Sequence, residues 1–150
     1  MAVILLSGGL DSALNLALAA REGKAKTALT MRYGQRAEKP ELAAAQALAR
    51  HYGASWQEVD VRWLGAVNPT SLTRKDQDLP RLELGALDRM DLATPSMKAV
   101  WVANRNGVFL NIAAAFAEAL REQGVLVGFK VEEAATLPNN SARWQQAMNQ

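Results

Sequence analysis

Residues 7–12, Ser-Gly-Gly-Leu-Asp-Ser, have the types and spacing of a phosphate-binding turn, and they directly follow an apolar run. Gly8 and Gly9 can adopt backbone angles that other residues avoid, and they would let a phosphate approach the main chain closely. The N–H groups of such a turn, and of a helix that begins there, point toward an anion. Asp11 would repel a phosphate unless a cation lay between them. The group therefore predicts nucleotide phosphates held together with a divalent metal such as Mg²⁺.

The same residues also fit an ordinary joint between a strand and a helix. Ser7 and Ser12 offer hydroxyl donors to a phosphate, but Ser, Gly and Asp are also common at helix N-termini, where they satisfy free N–H groups. The string is not a Walker A loop, since the Gly-Lys-Ser/Thr ending is missing, and it is not Gly-x-Gly-x-x-Gly. On the local pattern alone, both interpretations stay open.

A second polar segment, residues 31–36, also follows an apolar run and precedes a helical pattern. Arg32 and Arg36 could pair with a phosphate or a carboxylate through fork-shaped hydrogen bonds. Tyr33 could stack on a base. The alternative is a loop that carries two solvated arginines.

Two further segments carry polar residues next to predicted elements. Arg105 stands near a helix start, which is electrostatically unfavourable unless an anion lies beside it. Asn106 could cap the same helix. In the segment 128–141, Glu132 and Glu133 could hold a metal or contact an amine, but adjacent side chains diverge, so at most one fits a site. The alternative for that segment is a solvated turn.

Strand and helix signals alternate along the chain and define the elements that must position these residues. The predicted strands span residues 2–6, 26–32, 56–61 and 125–129. The predicted helices span residues 12–22, 38–52 and 106–123, each followed by a glycine. This alternation predicts an α/β fold with a doubly wound parallel sheet. Such sheets bind ligands at the carboxyl ends of their strands, which is where the polar segments fall.

Residues 62–98 interrupt the alternation, with three prolines, many charges and weak periodicity. A long irregular segment in a compact domain is usually a functional lid or disordered. We expect one nucleotide-binding domain over residues 1–150, in which residues 62–98 form a mobile lid or insertion. A surface excursion without a role is the alternative.

Composition narrows the class of protein further. The net charge of +2 does not indicate binding to nucleic acid or to a membrane surface. The absence of cysteine leaves neither disulfides nor a thiolate metal site in this chain. No apolar stretch reaches the roughly 20 residues that span a bilayer, and no basic segment precedes the apolar start as in a signal peptide. We therefore expect a cytoplasmic protein. A single histidine gives no support to a zinc enzyme or a Ser-His-Asp hydrolase.

Residues 7–12 resemble the PP-loop of the ATP pyrophosphatase superfamily, Ser-Gly-Gly-x-Asp-Ser. Three further segments narrow the resemblance. They are Tyr-Gly-Gln-Arg at 33–36 with a downstream glutamate at Glu38, Val-Ala-Asn-Arg-Asn at 102–106, and the segment 128–141. Together they are similar to the 7-cyano-7-deazaguanine synthase (QueC) family. The resemblance covers essentially the whole chain and implies the adenine nucleotide alpha hydrolase-like fold.

The resemblance implies an ATP-dependent ligase of queuosine and archaeosine precursor synthesis, a tRNA modification pathway. ATP would adenylate the carboxylate of 7-carboxy-7-deazaguanine, and ammonia would displace AMP to give an amide. A second activation by ATP would dehydrate the amide to the nitrile of 7-cyano-7-deazaguanine (preQ0). ATP and Mg²⁺ are the implied cofactors. The implied partners are the small-molecule substrate and ammonia, without direct contact to nucleic acid or membrane, and a homodimer is consistent with the family.

The resemblance also implies roles for individual residues of this chain. The implied ATP-binding residues are Leu6, Ser7, Gly8, Gly9, Leu10, Asp11, Ser12 and Met31. The implied catalytic residues are Asp11, Ser12, Arg36 and Arg105. The implied substrate-binding residues are Tyr33, Gln35, Arg105, Asn106 and Glu132. Asp11 is the implied Mg²⁺ ligand, and the two catalytic arginines would contact the substrate carboxylate or the α-phosphate.

The chain departs from the family pattern at a few places. Ala103 replaces a common proline, and Lys130 and Asn139 replace the Asn and Asp of related branches. The family usually carries a C-terminal part with four zinc-binding cysteines, which this sequence does not contain. Two alternatives therefore stay open. One is another PP-loop adenylating enzyme, such as a tRNA-modifying or amide-forming one, and the other is a truncated ATP-binding module without catalysis.

Overall fold

A computed structural model of the chain describes residues 1–67, 69–74, 100–129 and 141–149. The strands are β1 (Ala2–Leu5), β2 (Ala25–Arg32), β3 (Ser55–Asp60) and β4 (Val125–Leu126). The helices are α1 (Leu10–Arg21), α2 (Glu38–His51), α3 (Arg62–Val67), α4 (Arg105–Leu120) and α5 (Ala142–Met148). Among these helices, none is long and apolar enough to cross a membrane.

The four strands form one parallel sheet in the order β3-β2-β1-β4. Ile4 of β1 is in register with Ala28 of β2 on one side and with Leu126 of β4 on the other. The chain therefore moves outward from β1 to β3 in one direction and returns on the opposite side of β1. A crevice at the carboxyl end of β1, where the strand order reverses, is the usual ligand site of such sheets.

Helices cover both faces of the sheet. On one face, Ile4 and Leu6 pack with Leu16 of α1 and with Ala45 and Ala49 of α2. The small alanine side chains let α2 approach the strands closely. Because successive strand residues point to opposite faces, Val3 and Leu29 belong to the second core cluster, which includes Ala113 and Ala117 of α4. This two-sided packing confirms the predicted doubly wound α/β fold.

All seven predicted elements are present, and their ends differ by at most three residues. The largest differences are at the end of β4, which stops at Leu126 instead of residue 129, and at the end of α4, for which the predicted end at residue 123 was wrong. The helix ends at Leu120, because Arg121 adopts the left-handed conformation (φ 56°) and its backbone N–H is donated to helix carbonyls. The helix start is also one residue earlier than predicted, at Arg105.

The start of the expected lid has a regular structure. Residues 62–67 form the helix α3, in which Leu64 and Gly65 are buried, so the expectation of an irregular segment was wrong there. Residues 69–74 contain a turn, in which the Thr73 and Arg74 backbone N–H groups donate to the Thr70 carbonyl. The remaining residues of 62–98 lie outside the described residues.

Candidate functional site

Residues 7–12, here called the phosphate loop, are closed by a ring of hydrogen bonds among their own groups. The Ser12 hydroxyl donates to the Gly9 carbonyl oxygen (2.9 Å), and it accepts from the Ser7 backbone N–H (3.2 Å). The two serine hydroxyl oxygens lie 3.0 Å apart. Because a hydroxyl carries a single proton, Ser7 is the donor in that pair. Its own oxygen accepts from the Gly9 backbone N–H (3.3 Å). The loop is therefore held in shape by its own side chains.

Gly8 brings this loop against α2. Its φ is +81°, and a Cβ at this position would lie 2.7 Å from the Glu41 carbonyl oxygen and 3.0 Å from the Ala44 Cβ. Helix α1 follows with Gly9 as its N-cap, a residue that has no side chain to cap the first turn. The first N–H groups of a helix have no partner within the helix. The helix end thus presents backbone donors of the kind that bind phosphate.

Thr30 anchors the point at which β1 passes into the phosphate loop. This side chain is 1% exposed. Its hydroxyl donates to the Leu6 carbonyl oxygen (2.7 Å) and accepts from the Trp56 indole N–H (2.9 Å). The Leu6 backbone N–H in turn donates to the Leu29 carbonyl oxygen (2.8 Å). Thr30 therefore fixes the residue that immediately precedes Ser7 and connects it to β3.

Replacing Thr30 with valine is expected to destabilise the fold and to weaken ATP binding. The valine keeps the volume but leaves the Leu6 carbonyl and the Trp56 indole without their partner, at a cost of about 1–3 kcal/mol in the free energy of unfolding. Because the start of the phosphate loop loses its anchor, ATP affinity should fall several-fold. The measurements are urea unfolding and calorimetric titration with ATP and Mg²⁺.

Thr30→Ser and Thr27→Val are the controls for this prediction. The serine retains the hydroxyl and should bind ATP nearly as the unchanged chain does. Thr27 is a buried threonine of the same strand at the end away from the loop, where its hydroxyl accepts from Ser55 (3.3 Å). Thr27→Val should not alter ATP affinity. An unaltered ATP affinity in Thr30→Val would contradict the anchoring role.

A cavity of about 290 Å³ opens at the carboxyl ends of β1, β2 and β4. Its volume is at the lower end of the range for small-molecule sites, about 300–1000 Å³. The loop contributes Ser7 and Ser12, and the segment after β4 contributes Gly128 and Phe129. A Cβ at Gly128 would lie 3.2 Å from the Ser12 backbone nitrogen. The segment after β4 therefore lies directly beside the first turn of α1.

Arg105, Tyr33 and Phe109 form one wall of this cavity. The Arg105 guanidinium donates to the Tyr33 hydroxyl (3.4 Å), and its Cζ lies 5.6 Å from the centre of the Tyr33 ring. The Phe109 ring centre lies 5.6 Å from that of Tyr33. Among the described residues Arg105 has no carboxylate partner. The wall therefore combines a cation with two aromatic rings, which suits an anionic ligand that carries a flat ring.

Burial raises the pKa of Tyr33, although the nearby Arg105 cation opposes the shift. The Glu41 carboxylate raises this pKa further. The phenol therefore stays protonated at neutral pH. A protonated phenol keeps one O–H that it can donate while its oxygen accepts from Arg105.

Gln35 connects the tyrosine backbone to a carboxylate in the cavity. Its side-chain oxygen accepts from the Tyr33 backbone N–H (3.0 Å). Its amide N–H groups donate to the Met31 carbonyl oxygen (3.3 Å) and to the Glu41 carboxylate (2.9 Å). Gln35 is 6% exposed. The side chain thus holds the turn after β2 and the first turn of α2 in a fixed relation.

Arg32 forms ion pairs with two carboxylates of the protein itself. It donates to Glu58 of β3 (2.6 Å) and to Glu38 of α2 (2.9 Å). The hydrogen bond to Glu38, and next the one to Glu58, raise the pKa of the guanidinium above its ordinary value. The suggestion that Arg32 pairs with a phosphate is therefore wrong for this structure. Glu38, the glutamate downstream of the Tyr-Gly-Gln-Arg segment, is occupied by the same ion pair.

The structure brings most of the sequence-predicted residues together around the cavity. Those that line it are Leu6, Ser7, Ser12, Met31, Tyr33, Gln35, Arg105 and Asn106. The predicted residues Gly8, Gly9, Leu10, Asp11 and Arg36 lie in or near the loops but do not line it. Leu10 is 84% exposed. Arg36 is also exposed, and its backbone N–H donates to the Leu72 carbonyl oxygen (2.9 Å). Glu132 lies outside the described residues.

Asn106 does not cap α4, so the capping interpretation was wrong. The N-cap is Asn104, in the left-handed conformation with φ 50°, and it makes no side-chain capping bond. Asn106 is the second residue of the helix, is 8% exposed and lines the cavity.

Sequence reasoning missed several residues that line the cavity. Thr30, Glu41, Phe109 and Gly128 are the four with a clear contact to predicted site residues. Glu41 carried a signal, since it is a carboxylate in the first turn of the helix after the Tyr-Gly-Gln-Arg segment. Thr30 carried none, because threonine is an ordinary strand residue.

A Ser-Gly-Gly-x-Asp-Ser loop at the carboxyl end of β1, in a parallel sheet of order β3-β2-β1-β4, defines the class of PP-loop ATP pyrophosphatases. The sequence model of the family described as "Queuosine biosynthesis protein QueC" matches residues 1–150. The chain belongs to the QueC family.

Curated relatives carry a consistent name. The chain is 50% identical to "7-cyano-7-deazaguanine synthase" of Desulforamulus reducens over 139 residues, which cover 93% of this chain and 61% of that protein. It is 45% identical to the protein of the same name from Pelotomaculum thermopropionicum, over 98% of this chain and 66% of that protein. It is 42% identical to the protein of that name from Methanosarcina mazei, over 99% of this chain and 65% of that protein. The chain thus spans about two thirds or less of the length of these relatives.

Proposed function

We propose that this chain carries the nucleotide-binding part, and the activity, of an ATP-dependent ligase that converts 7-carboxy-7-deazaguanine and ammonia to 7-cyano-7-deazaguanine. The observation that carries the proposal is the joint presence of a closed PP-loop and the Arg105–Tyr33 wall on one cavity. The first suits the phosphates of ATP, and the second suits a flat ring with a carboxylate. Membership of the QueC family and the names of the relatives agree with it.

In the first activation, a carboxylate oxygen of the substrate attacks the α-phosphorus of ATP, and the bond from that phosphorus to the bridging oxygen breaks. Pyrophosphate leaves, and a mixed anhydride with AMP remains. We assign the binding of the leaving phosphates to the backbone N–H groups of Gly8 and of the first turn of α1, since the Ser7 and Gly9 N–H groups donate to serine hydroxyls within the loop. Donors that are fixed in advance stabilise charge that develops on the leaving group. Arg105 would hold the carboxylate in line with the α-phosphorus.

In the second half, ammonia attacks the acyl carbon, AMP leaves and a proton is lost, giving the amide. The amide oxygen then attacks the α-phosphorus of a second ATP and displaces pyrophosphate. Loss of AMP and of protons from the nitrogen leaves the carbon–nitrogen triple bond. One cavity can serve both rounds because each begins with an oxygen attached to the same carbon. Met31 and the adjoining strand-end backbone are assigned to the adenine, and Asn106 to the substrate.

Asp11 fits the requirement for a single carboxylate that helps to hold Mg²⁺ beside the phosphates. Mg²⁺ usually takes one or two carboxylates, with phosphate oxygens and water as its other ligands. Among the residues that the structure describes, there is no group of three His, Cys, Asp or Glu side chains that would form an all-protein metal site. When bound, the ion would share the negative charge that builds up on the departing pyrophosphate. Ser7 and Ser12 keep the loop closed around that position.

We further propose that the protein is cytoplasmic, does not contact nucleic acid directly and can pair with a second copy of itself. Residues 1–150 are proposed to form one domain. Arg36 is proposed to contribute to catalysis from the turn after β2, although it does not line the cavity.

The test is incubation of the chain with ATP, Mg²⁺, an ammonium salt and 7-carboxy-7-deazaguanine, followed by mass spectrometry. We expect AMP, pyrophosphate and 7-cyano-7-deazaguanine, with two AMP formed per nitrile. AMP and amide without nitrile would limit the chain to the first half of the reaction. Bound ATP without AMP would contradict the proposed catalysis and leave a nucleotide-binding module.

A further inference from the structure

The cavity contains two opposite charges that do not pair with each other. Arg105 and Glu41 both line it, and no ion pair among the described residues joins them. Arg105 contacts the Tyr33 hydroxyl, and Glu41 accepts from the Gln35 amide. A cavity with separated charges is complementary to a ligand that is anionic at one end and rich in N–H donors at the other.

Neutral side chains fix both charges in place. The Gln35 side-chain amide donates to the Oε2 atom of Glu41 (2.9 Å), and the Gln35 side-chain oxygen accepts from the Tyr33 backbone N–H (3.0 Å). The Oε1 atom of Glu41 accepts no hydrogen bond from the described residues. Because Oε2 retains a second lone pair, the carboxylate can still accept two parallel hydrogen bonds. Its position is therefore set before any ligand binds.

We infer that Glu41 recognises the donor edge of the 7-deazaguanine ring, while Arg105 takes the carboxylate at the opposite end. This inference rests on the proposed function. The guanine-type ring presents two adjacent donors, the lactam N–H and the 2-amino group. An ionised carboxylate has only acceptors and matches both of them at once. Glu41 thus becomes a residue that determines specificity, distinct from those that carry the phosphate transfer.

The same contact would keep the two heterocycles of the reaction apart. Adenine presents a ring nitrogen acceptor at the position of the lactam N–H. A carboxylate facing that lone pair would be repelled and left without a partner, and such unpaired polar groups are an effective means of rejection. Glu41 would therefore exclude the base of ATP from the substrate half of the cavity.

The experiment compares the binding of two ligands, 7-carboxy-7-deazaguanine and its analogue without the 2-amino group, 7-carboxy-7-deazahypoxanthine. Binding is measured by calorimetric titration, so that it does not depend on turnover. The unchanged chain should prefer the 2-amino compound by roughly 10- to 100-fold, the value of a hydrogen bond to a charged group. In Glu41→Gln this preference should fall to about threefold or less, with the dissociation constant for ATP and Mg²⁺ unaltered.

Glu38→Gln is the matched control, since it removes the same charge from the same helical turn. Glu38 pairs with Arg32 and does not line the cavity, so the preference should stay as in the unchanged chain. An unaltered preference in Glu41→Gln would overturn the inference alone. So would an equal loss of affinity for both ring compounds together with weakened ATP and Mg²⁺ binding, which would point to a metal or structural role. Failure of the unchanged chain to bind either ring compound would overturn the proposed function and this inference with it.

Discussion

Replacement of Gly8 with alanine is expected to reduce ATP affinity by roughly 100-fold, the equivalent of losing about one strong hydrogen bond to a charged phosphate. The φ of +81° costs an alanine about 1–2 kcal/mol. In addition, the new Cβ would overlap the Glu41 carbonyl oxygen, which is backbone and cannot swing aside. The loop must therefore move away from α2, and its N–H groups lose their common focus. Calorimetric titration with ATP and Mg²⁺ measures the loss.

Gly53→Ala separates this effect from simple backbone strain. Gly53 follows the far end of α2 with a φ of +70°, and a Cβ there would meet nothing within 4 Å. The control should lose about 1 kcal/mol in the free energy of unfolding and keep its ATP affinity. If Gly8→Ala binds ATP as Gly53→Ala does, the close packing of the loop on α2 is irrelevant to phosphate binding.

The sheet and the phosphate loop were predictable because their signals are local. An apolar run, two glycines and an alanine-rich helix stand next to each other in the first 21 residues, so periodicity and turn chemistry place the loop at a strand end. Glycines after α1 and α2 also marked their ends correctly, with φ of +69° at Gly23 and +70° at Gly53. Each of these features depends only on residues a few positions apart.

The short helix α3 and the end of α4 were not predictable in the same way. Six residues with a glycine among them give too little periodicity to distinguish a helix from a loop. Gly65 is tolerated in α3 because its missing side chain lets the helix approach the Tyr33 carbonyl oxygen. The end of α4 depends on Arg121 adopting a conformation that glycine usually supplies, while Gly124 stands too late.

The choice between Glu38 and Glu41 shows which part of a site depends on tertiary packing. Both carboxylates lie in the first turn of α2, separated by about 60° around the helix axis. Burial of Ala45 and Ala49 against the sheet sets the rotation of the helix. That rotation directs Glu38 to Arg32 and Glu41 to the cavity. The sequence contains both glutamates, but only the packing of α2 on the sheet determines which of them faces the cavity.

Replacement of Arg105 with glutamine is expected to weaken binding of 7-carboxy-7-deazaguanine by about 30- to 160-fold, which corresponds to about 2–3 kcal/mol. In the free protein the guanidinium contacts only the hydroxyl and ring of Tyr33 among the described residues. Since no described carboxylate pairs with it, an anionic ligand would supply the opposite charge. Arg105→Lys keeps the charge but loses the planar fork and the contact with the aromatic ring, so it should recover only part of the affinity.

Arg62→Gln is the charge-matched control for Arg105. Arg62 is an exposed residue paired with Asp60 (2.6 Å), away from the cavity, and its removal changes the net charge by the same unit. Its loss should leave both ligands bound as before, since long-range effects of one surface charge are small at physiological salt. Titrations with 7-carboxy-7-deazaguanine and with ATP then show which ligand Arg105 contacts. A loss confined to the carboxylate ligand places Arg105 on the substrate, whereas a loss confined to ATP moves it to the α-phosphate. If Arg105→Gln and Arg62→Gln bind both ligands alike, the cation has no role in the site and the Arg105–Tyr33 wall cannot carry the proposed function.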